Sequence, residues 1–237
     1  MAYIIETENL TKKYGELTAV SSVNLKVEKG SLFGLLGPNG SGKTTMIKML
    51  TGQIRPTFGK ASVLGLDVDS DPVAVRRLTG IIPEQESPPS FLTVMEYLEF
   101  IADIRKFPDL EEKADWWFEF LEYGDKKDVL CKDLSRGTRQ KLMLTQAFIH
   151  EPELALIDEP LINFDPVMQD KVKSFFVSYT KQGKTLFIST HLLDTAEEIC
   201  TNVAILHLGE LLYTGTMEKV RQEGRHLSDL FLSLVRK

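Results

Sequence analysis

Apolar residues fall in short, strand-length runs near both ends of the chain and at helical spacing in its middle. Between residues 2 and 36, IIETENL, a KKYGE turn, the partly alternating AVSSVNLKVEKGS and the apolar LFGLL (Leu32 to Leu36) read as short strands separated by glycines and polar clusters. LFGLL ends in GPNGSGKTT, and TMIKML then continues at helical spacing, so a strand, a glycine-rich loop and a helix follow in order. Another apolar stretch, Arg77 to Ile82, stops at Pro83. From Phe91 to about His150 the period changes: Val94, Leu98, Ile101 and Ile104 repeat at three and four, which predicts an all-helical lobe inserted into an α/β core. The α/β pattern then resumes. A strand (Leu154–Ile157) precedes Asp158-Glu159-Pro160, a helix is predicted over about Val167 to Lys181, a strand (Thr185–Thr190) precedes His191, and VAILHLGELLYTG reads as a hairpin. In the tail, Leu227, Leu230, Phe231 and Leu234 share one helical face, a stripe expected to pack on its own domain.

Composition adds limits. With 43% hydrophobic and 26% charged residues, a large core can form without disulfides or metals. Cys131 and Cys200 form no C-x-x-C pair, which suits a reducing compartment, and both read as small buried hydrophobes. The net charge is -6 with both signs mixed along the chain, so no basic face for nucleic acid is visible. MAYIIETENL lacks a signal-peptide layout, and no apolar run approaches the ~18–20 residues that span a bilayer. The chain is expected to be soluble by itself, with any membrane role supplied by a partner. Aromatics crowd between Phe91 and Tyr123; Phe91, Tyr97 and Trp116 belong either to the lobe's own core or to a docking surface.

The strongest chemical signal is Gly37-Pro38-Asn39-Gly40-Ser41-Gly42-Lys43-Thr44-Thr45, which fits G-x-x-x-x-G-K-[ST] between a strand and a helix. Glycines let successive backbone N–H groups turn toward phosphates, and the helix offers its positive end to the same anion. Lys43 is placed for the outer phosphates and the Thr44 hydroxyl for Mg²⁺. Asp158 and Glu159 follow a buried strand, where side chains face the ligand crevice; Asp158 suits the Mg²⁺ shell and Glu159 a general base for attacking water. The expected fold is therefore α/β: a P-loop NTPase core with an N-terminal antiparallel β subdomain and an inserted α-helical subdomain.

With these motifs located, nearly the whole chain resembles the ATP-binding cassette (ABC) ATPase family. Leu134-Ser135-Arg136-Gly137-Thr138-Arg139-Gln140-Lys141 resembles the family's LSGGQ signature: Ser135 and Gly137 match, whereas Arg136 and Thr138 stand where glycine and glutamine are usual. The resemblance implies that Tyr14 stacks on adenine, that His191 contacts the γ-phosphate, and that Asp165 is the aspartate of the loop after Glu159, although LINFDP is bulkier there than usual. The family's metal-touching glutamine falls at Glu84 by alignment, with Gln85 as the alternative. Residues 1–86 and 151–237 would form the catalytic core with its β subdomain, and 87–150 the helical subdomain carrying the signature.

The resemblance further implies an ATPase that uses ATP and Mg²⁺, with a second cassette facing it head to tail so that Ser135 and Gly137 of one copy close the phosphate loop of the other. A separate transmembrane permease would be its partner, with this chain cytoplasmic and peripheral on the cytoplasmic face of the cell membrane, and the general look resembles exporters. Two other readings stay open at this stage: a soluble ATPase acting on ribosomes, DNA or protein complexes, and a weakly hydrolysing regulatory module.

Overall fold

The computed structural model describes residues 3–83, 88–224 and 226–236. The first strand, β1 (Tyr3–Tyr14), runs on through Lys12 and Lys13, and the chain reverses only at Gly15 and Glu16, later than expected. There follow β2 (Leu17–Val23), β3 (Lys26–Glu28), β4 (Leu32–Leu36), α1 (Lys43–Leu50), β5 (Phe58–Val63), β6 (Leu66–Asp67), α2 (Pro72–Leu78) and β7 (Thr79–Ile82). Helices α3 (Val94–Arg105), α4 (Leu110–Leu121) and α5 (Arg136–Phe148) fill the middle. The rest alternates: β8 (Leu154–Asp158), α6 (Pro166–Lys181), β9 (Thr185–Thr190), α7 (Leu193–Ile199), β10 (Asn202–His207), β11 (Glu210–Thr216), α8 (Met217–Gln222) and α9 (Leu227–Val235).

Among the described residues the strands form two sheets. The central one has the order β11-β10-β4-β9-β8-β7 and is parallel except for the β10–β11 hairpin. The smaller sheet, β2-β1-β5-β6 with β3 on β1, is antiparallel. Strands β4, β8 and β9 are buried along their whole length, which is why their sequences are continuous apolar runs rather than alternating ones. Their two faces feed two cores. Leu32 and Leu36 pack among the helices α3 to α9, whereas Phe33 and Leu35 point to a second cluster with Met46 and Leu50 of α1 and the smaller sheet. On that second face Phe33 stacks on its register partner Phe187, ring centroids 5.5 Å apart. This is the expected α/β core with an antiparallel N-terminal sheet and a helical insertion between β7 and β8. The parallel strands β4, β9 and β8 bring their C-terminal ends to one edge, where ligands bind in such sheets.

The helices start and stop for local reasons. Thr93 and Glu96 make a reciprocal cap at the start of α3, with the Thr93 hydroxyl accepting from the Glu96 N–H at 3.2 Å and the Glu96 carboxylate accepting from the Thr93 N–H at 2.8 Å. Lys106 and Asp109, both at positive φ, separate α3 from α4. Trp117, Phe118 and Tyr123 are core residues. Tyr97 is buried too and so is no docking residue, while Phe91 and Trp116 are exposed, Trp116 stacking on Phe120 at 4.9 Å. In the tail, Leu227 and Leu230 are buried with Phe231 and Leu234 packed against the same cluster, so the stripe packs on its own domain as expected. Both cysteines are buried and free. Among the described residues no helix is long and apolar enough to cross a membrane.

The end of α3 carries a titration consequence. Arg105 donates through Nη1 to the carbonyls of Arg77 and Thr79, each at 3.0 Å, and lies 2.7 Å from His150 Nε2. Burial, with the neighbouring Arg105 charge, pushes the His150 imidazole down to about 3. The folded state thus holds His150 neutral, while the unfolded chain protonates it near its ordinary value of 6.5. Its contribution is fully present above pH 6.5 and is lost as the pH falls below it, at up to about 1.4 kcal/mol per pH unit. Urea unfolding between pH 7 and pH 5 is expected to show this slope, and a His150→Gln variant a shallower one; equal slopes would contradict the assignment.

Candidate functional site

The phosphate-loop segment lies between β4 and α1. Gly42 precedes the helix at φ 107°, and no side chain caps the helix start, which leaves its first N–H groups open to an anion. A Cβ at Gly42 would run into the Ala19 carbonyl, so the loop can lie this close to β2 only with glycine there. Lys43 is 6% exposed and folds back over the loop, donating through Nζ to the carbonyls of Gly37 at 2.7 Å and Pro38 at 3.2 Å. Ser41 Oγ is buried and has no hydrogen-bond partner among the described residues. The loop is braced by the β10–β11 turn, where the Gly209 N–H donates to the Ser41 carbonyl at 3.0 Å and the Gly209 carbonyl accepts from the Ser21 N–H at 2.8 Å.

Strands β8 and β9 deliver the carboxylates beside it. Asp158 ends β8 and pairs in register with Ser189 of β9, whose hydroxyl donates to Asp158 Oδ1. The other oxygen, Oδ2, is buried with no partner among the described residues. A buried carboxylate oxygen left without a donor is costly, and such an atom marks where a cation belongs. Glu159 sits in the left-handed region at φ 48°, a strained conformation for a glutamate, and its carboxylate is gripped by the end of β9. Oε2 accepts from the Thr190 hydroxyl at 3.1 Å; Oε1 accepts from the His191 N–H at 3.1 Å and lies 2.7 Å from His191 Nδ1. Lys43 Nζ is 3.9 Å from the same Oε1.

These groups open on one cleft of ≈ 720 Å³ lined by Tyr14, Asn39, Gly40, Gly42, Lys43, Thr44, Thr45, Asp158, Glu159 and His191. Gly37, Pro38 and Ser41 lie within the loop that builds it. Sequence reasoning missed several further lining residues: Leu17, Thr18, Ala19, Gln140, Ile162, Asn163, Leu208 and Gly209. Gln140 gets there by a tertiary contact, its buried amide donating to the Pro160 carbonyl at 3.1 Å. A signal for Leu208-Gly209 was present, since an X-Gly pair between strand runs marks a tight hairpin turn.

The signature positions 135–138 are elsewhere. Ser135 caps α5, its hydroxyl accepting from the Thr138 N–H at 3.1 Å and bonding the Thr138 hydroxyl at 2.8 Å. Ser135 and Arg136 are exposed, Gly137 and Thr138 partly so, and none of the four lines the cleft. Asp165 also lies outside it and caps α6, with Oδ1 accepting from the N–H groups of Val167 and Met168 at 3.0 and 3.1 Å. Glu84 and Gln85 fall outside the described residues.

Residues 20–162 match the model of the ABC transporter family. The chain is 35% identical to the bacitracin transport ATP-binding protein BcrA of Enterococcus faecalis, across 98% of this chain and 76% of that protein. It is 32% identical to the probable multidrug ABC transporter ATP-binding protein YbhF of Escherichia coli strain K12, across 93% of this chain but only 38% of that protein. A solved ATP binding subunit of an ABC transporter superposes with a TM-score of 0.91 at 29% identity, covering 98% of this chain and 99% of the other.

Proposed function

Because this chain belongs to the ABC transporter family, we propose that it is the ATP-binding, ATP-hydrolysing subunit of a transporter, that it works with a separate transmembrane permease on the cytoplasmic face of the membrane, and that transport runs outward. The outward direction rests on relatives such as the Nod factor export ATP-binding protein I of Rhizobium meliloti. The observation that carries the ATPase reading is the shared cleft, which joins Lys43, the unpartnered Asp158 oxygen and the gripped Glu159.

In this reading the loop N–H groups and Lys43 hold the phosphates, and Tyr14 takes the base. The donor set fits Mg²⁺: the buried, unpartnered Asp158 Oδ2 and the Thr44 hydroxyl are hard oxygens, and such a cation takes few protein ligands beside phosphate and water. Glu84 and Gln85 remain candidates for the same shell. When bound, the ion supplies charge neutralisation between the outer phosphates. Glu159 accepts the proton of the attacking water. His191 bonds Glu159 Oε1 through Nδ1, so its other ring nitrogen is the one that would meet the γ-phosphate. Ser135, Arg136, Gly137 and Thr138 serve the cleft of a second cassette, whether an identical or a related chain, and Asp165 belongs to the same contact. Residues 87–150 form the helical subdomain that carries this surface, and 1–86 and 151–237 the catalytic core. The test is turnover of MgATP against protein concentration. A rise steeper than linear supports a shared site, and turnover no higher than that of Lys43→Ala would overturn the ATPase reading.

A further inference from the structure

His207 and Glu210 pair across the β10–β11 hairpin, leaving a two-residue turn at Leu208 and Gly209 with φ of 48° and 82°. Positive φ at both central residues is the type I′ geometry, for which Asn-Gly is the favoured pair and leucine a strained choice. Leu208 gains nothing from the core in return, being 75% exposed. It lines the cleft that holds Lys43, and it does so with three other exposed apolar side chains, Tyr14, Leu17 and Ile162, of which Tyr14 and Leu17 come from the β1–β2 turn. The turn is fixed there by the two backbone bonds that tie Gly209 to Ser41 and Ser21. A strained, solvent-exposed leucine held rigidly at the mouth of a polar cleft breaks the local rules for turns and surfaces together, and such breaks mark functional positions.

We propose that Leu208 is a nucleotide-binding residue: its side chain packs, with Leu17, on the purine base and ribose of the bound nucleotide, as an apolar contact additional to Tyr14. The inference rests on the nucleotide reading of the cleft given above. It divides the site in two. The phosphates are held by backbone N–H groups and Lys43, and the base and sugar by an apolar rim delivered by the β1–β2 and β10–β11 turns.

Titration calorimetry of the Leu208→Asn variant separates these parts. Asparagine suits the turn, so the ligand-free variant is expected to melt no lower than the parent chain. Its Kd for MgATP is expected to rise about five- to tenfold from the lost apolar contact, while its Kd for magnesium tripolyphosphate, which has no base, stays unchanged. An unchanged Kd for MgATP would overturn the proposal. So would an equal loss for both ligands, which would assign Leu208 to bracing the phosphate loop. If the parent chain bound neither ligand, the nucleotide reading itself would fall, and this inference with it.

Discussion

A Lys43→Ala chain is expected to bind MgATP about a hundredfold more weakly, since two charge-assisted hydrogen bonds of about 1.5 kcal/mol each are lost, and to show no turnover above background. The ammonium is buried within the loop, 2.7 Å from the Gly37 carbonyl, and alanine leaves no charge in its place. It also braces the loop in the ligand-free protein, and thermal melting of the variant separates that structural share from the loss in binding. Calorimetry reads the affinity and released phosphate the turnover. A loss in affinity of threefold or less would mean that phosphate is gripped elsewhere.

The second large effect belongs to Glu159→Gln. Glutamine keeps one acceptor oxygen, which can still take the His191 N–H at 3.1 Å, and its NH2 group meets the Thr190 hydroxyl, which can turn to accept from it, so the change at the end of β8 is small. What it cannot do is take a proton. Turnover is expected to fall by about 10²- to 10⁴-fold, the usual worth of a positioned general base, while the Kd for MgATP stays close to that of the parent chain. A variant that still turns over at a tenth of the parent rate or faster would remove Glu159 from the chemistry and leave it as a partner that orients His191.

Some parts of this structure were readable early because one physical cause dominates them. LFGLL and LALI are apolar throughout because their strands are covered on both faces, and the phosphate-loop spacing follows from the backbone turn that lets N–H groups face an anion. Helix α6, expected from about Val167, begins one residue earlier at Pro166, with Asp165 capping it. Other features come from partners distant in sequence. β1 continues through two lysines because β2 pairs with Lys12 and Lys13 across an irregular register, which no local pattern encodes. The sequence leaves Tyr97 open between core and docking surface, and only the packing of the insertion's own helices decides that it is buried. In the cleft, the residues with motif spacing were found and those brought by tertiary contact were not. Gln140 reaches the cleft only because α5 packs on the segment after β8, and Leu208 only because a hairpin turn abuts the phosphate loop. The separation of Ser135 from Lys43 was legible only through family resemblance, and the proposed shared site gives it a meaning: one chain would build most of a site and supply, from residues that do not line it, the piece that finishes a partner's.

That division of labour is tested most directly by sedimentation of the Glu159→Gln chain with saturating ATP and Mg²⁺. The shared-site account expects a species of twice the 26.8 kDa chain mass that returns to monomer when nucleotide is withdrawn or when Ser135 is also replaced by a bulky residue. A chain that binds MgATP yet sediments at 26.8 kDa at every concentration tried would contradict it.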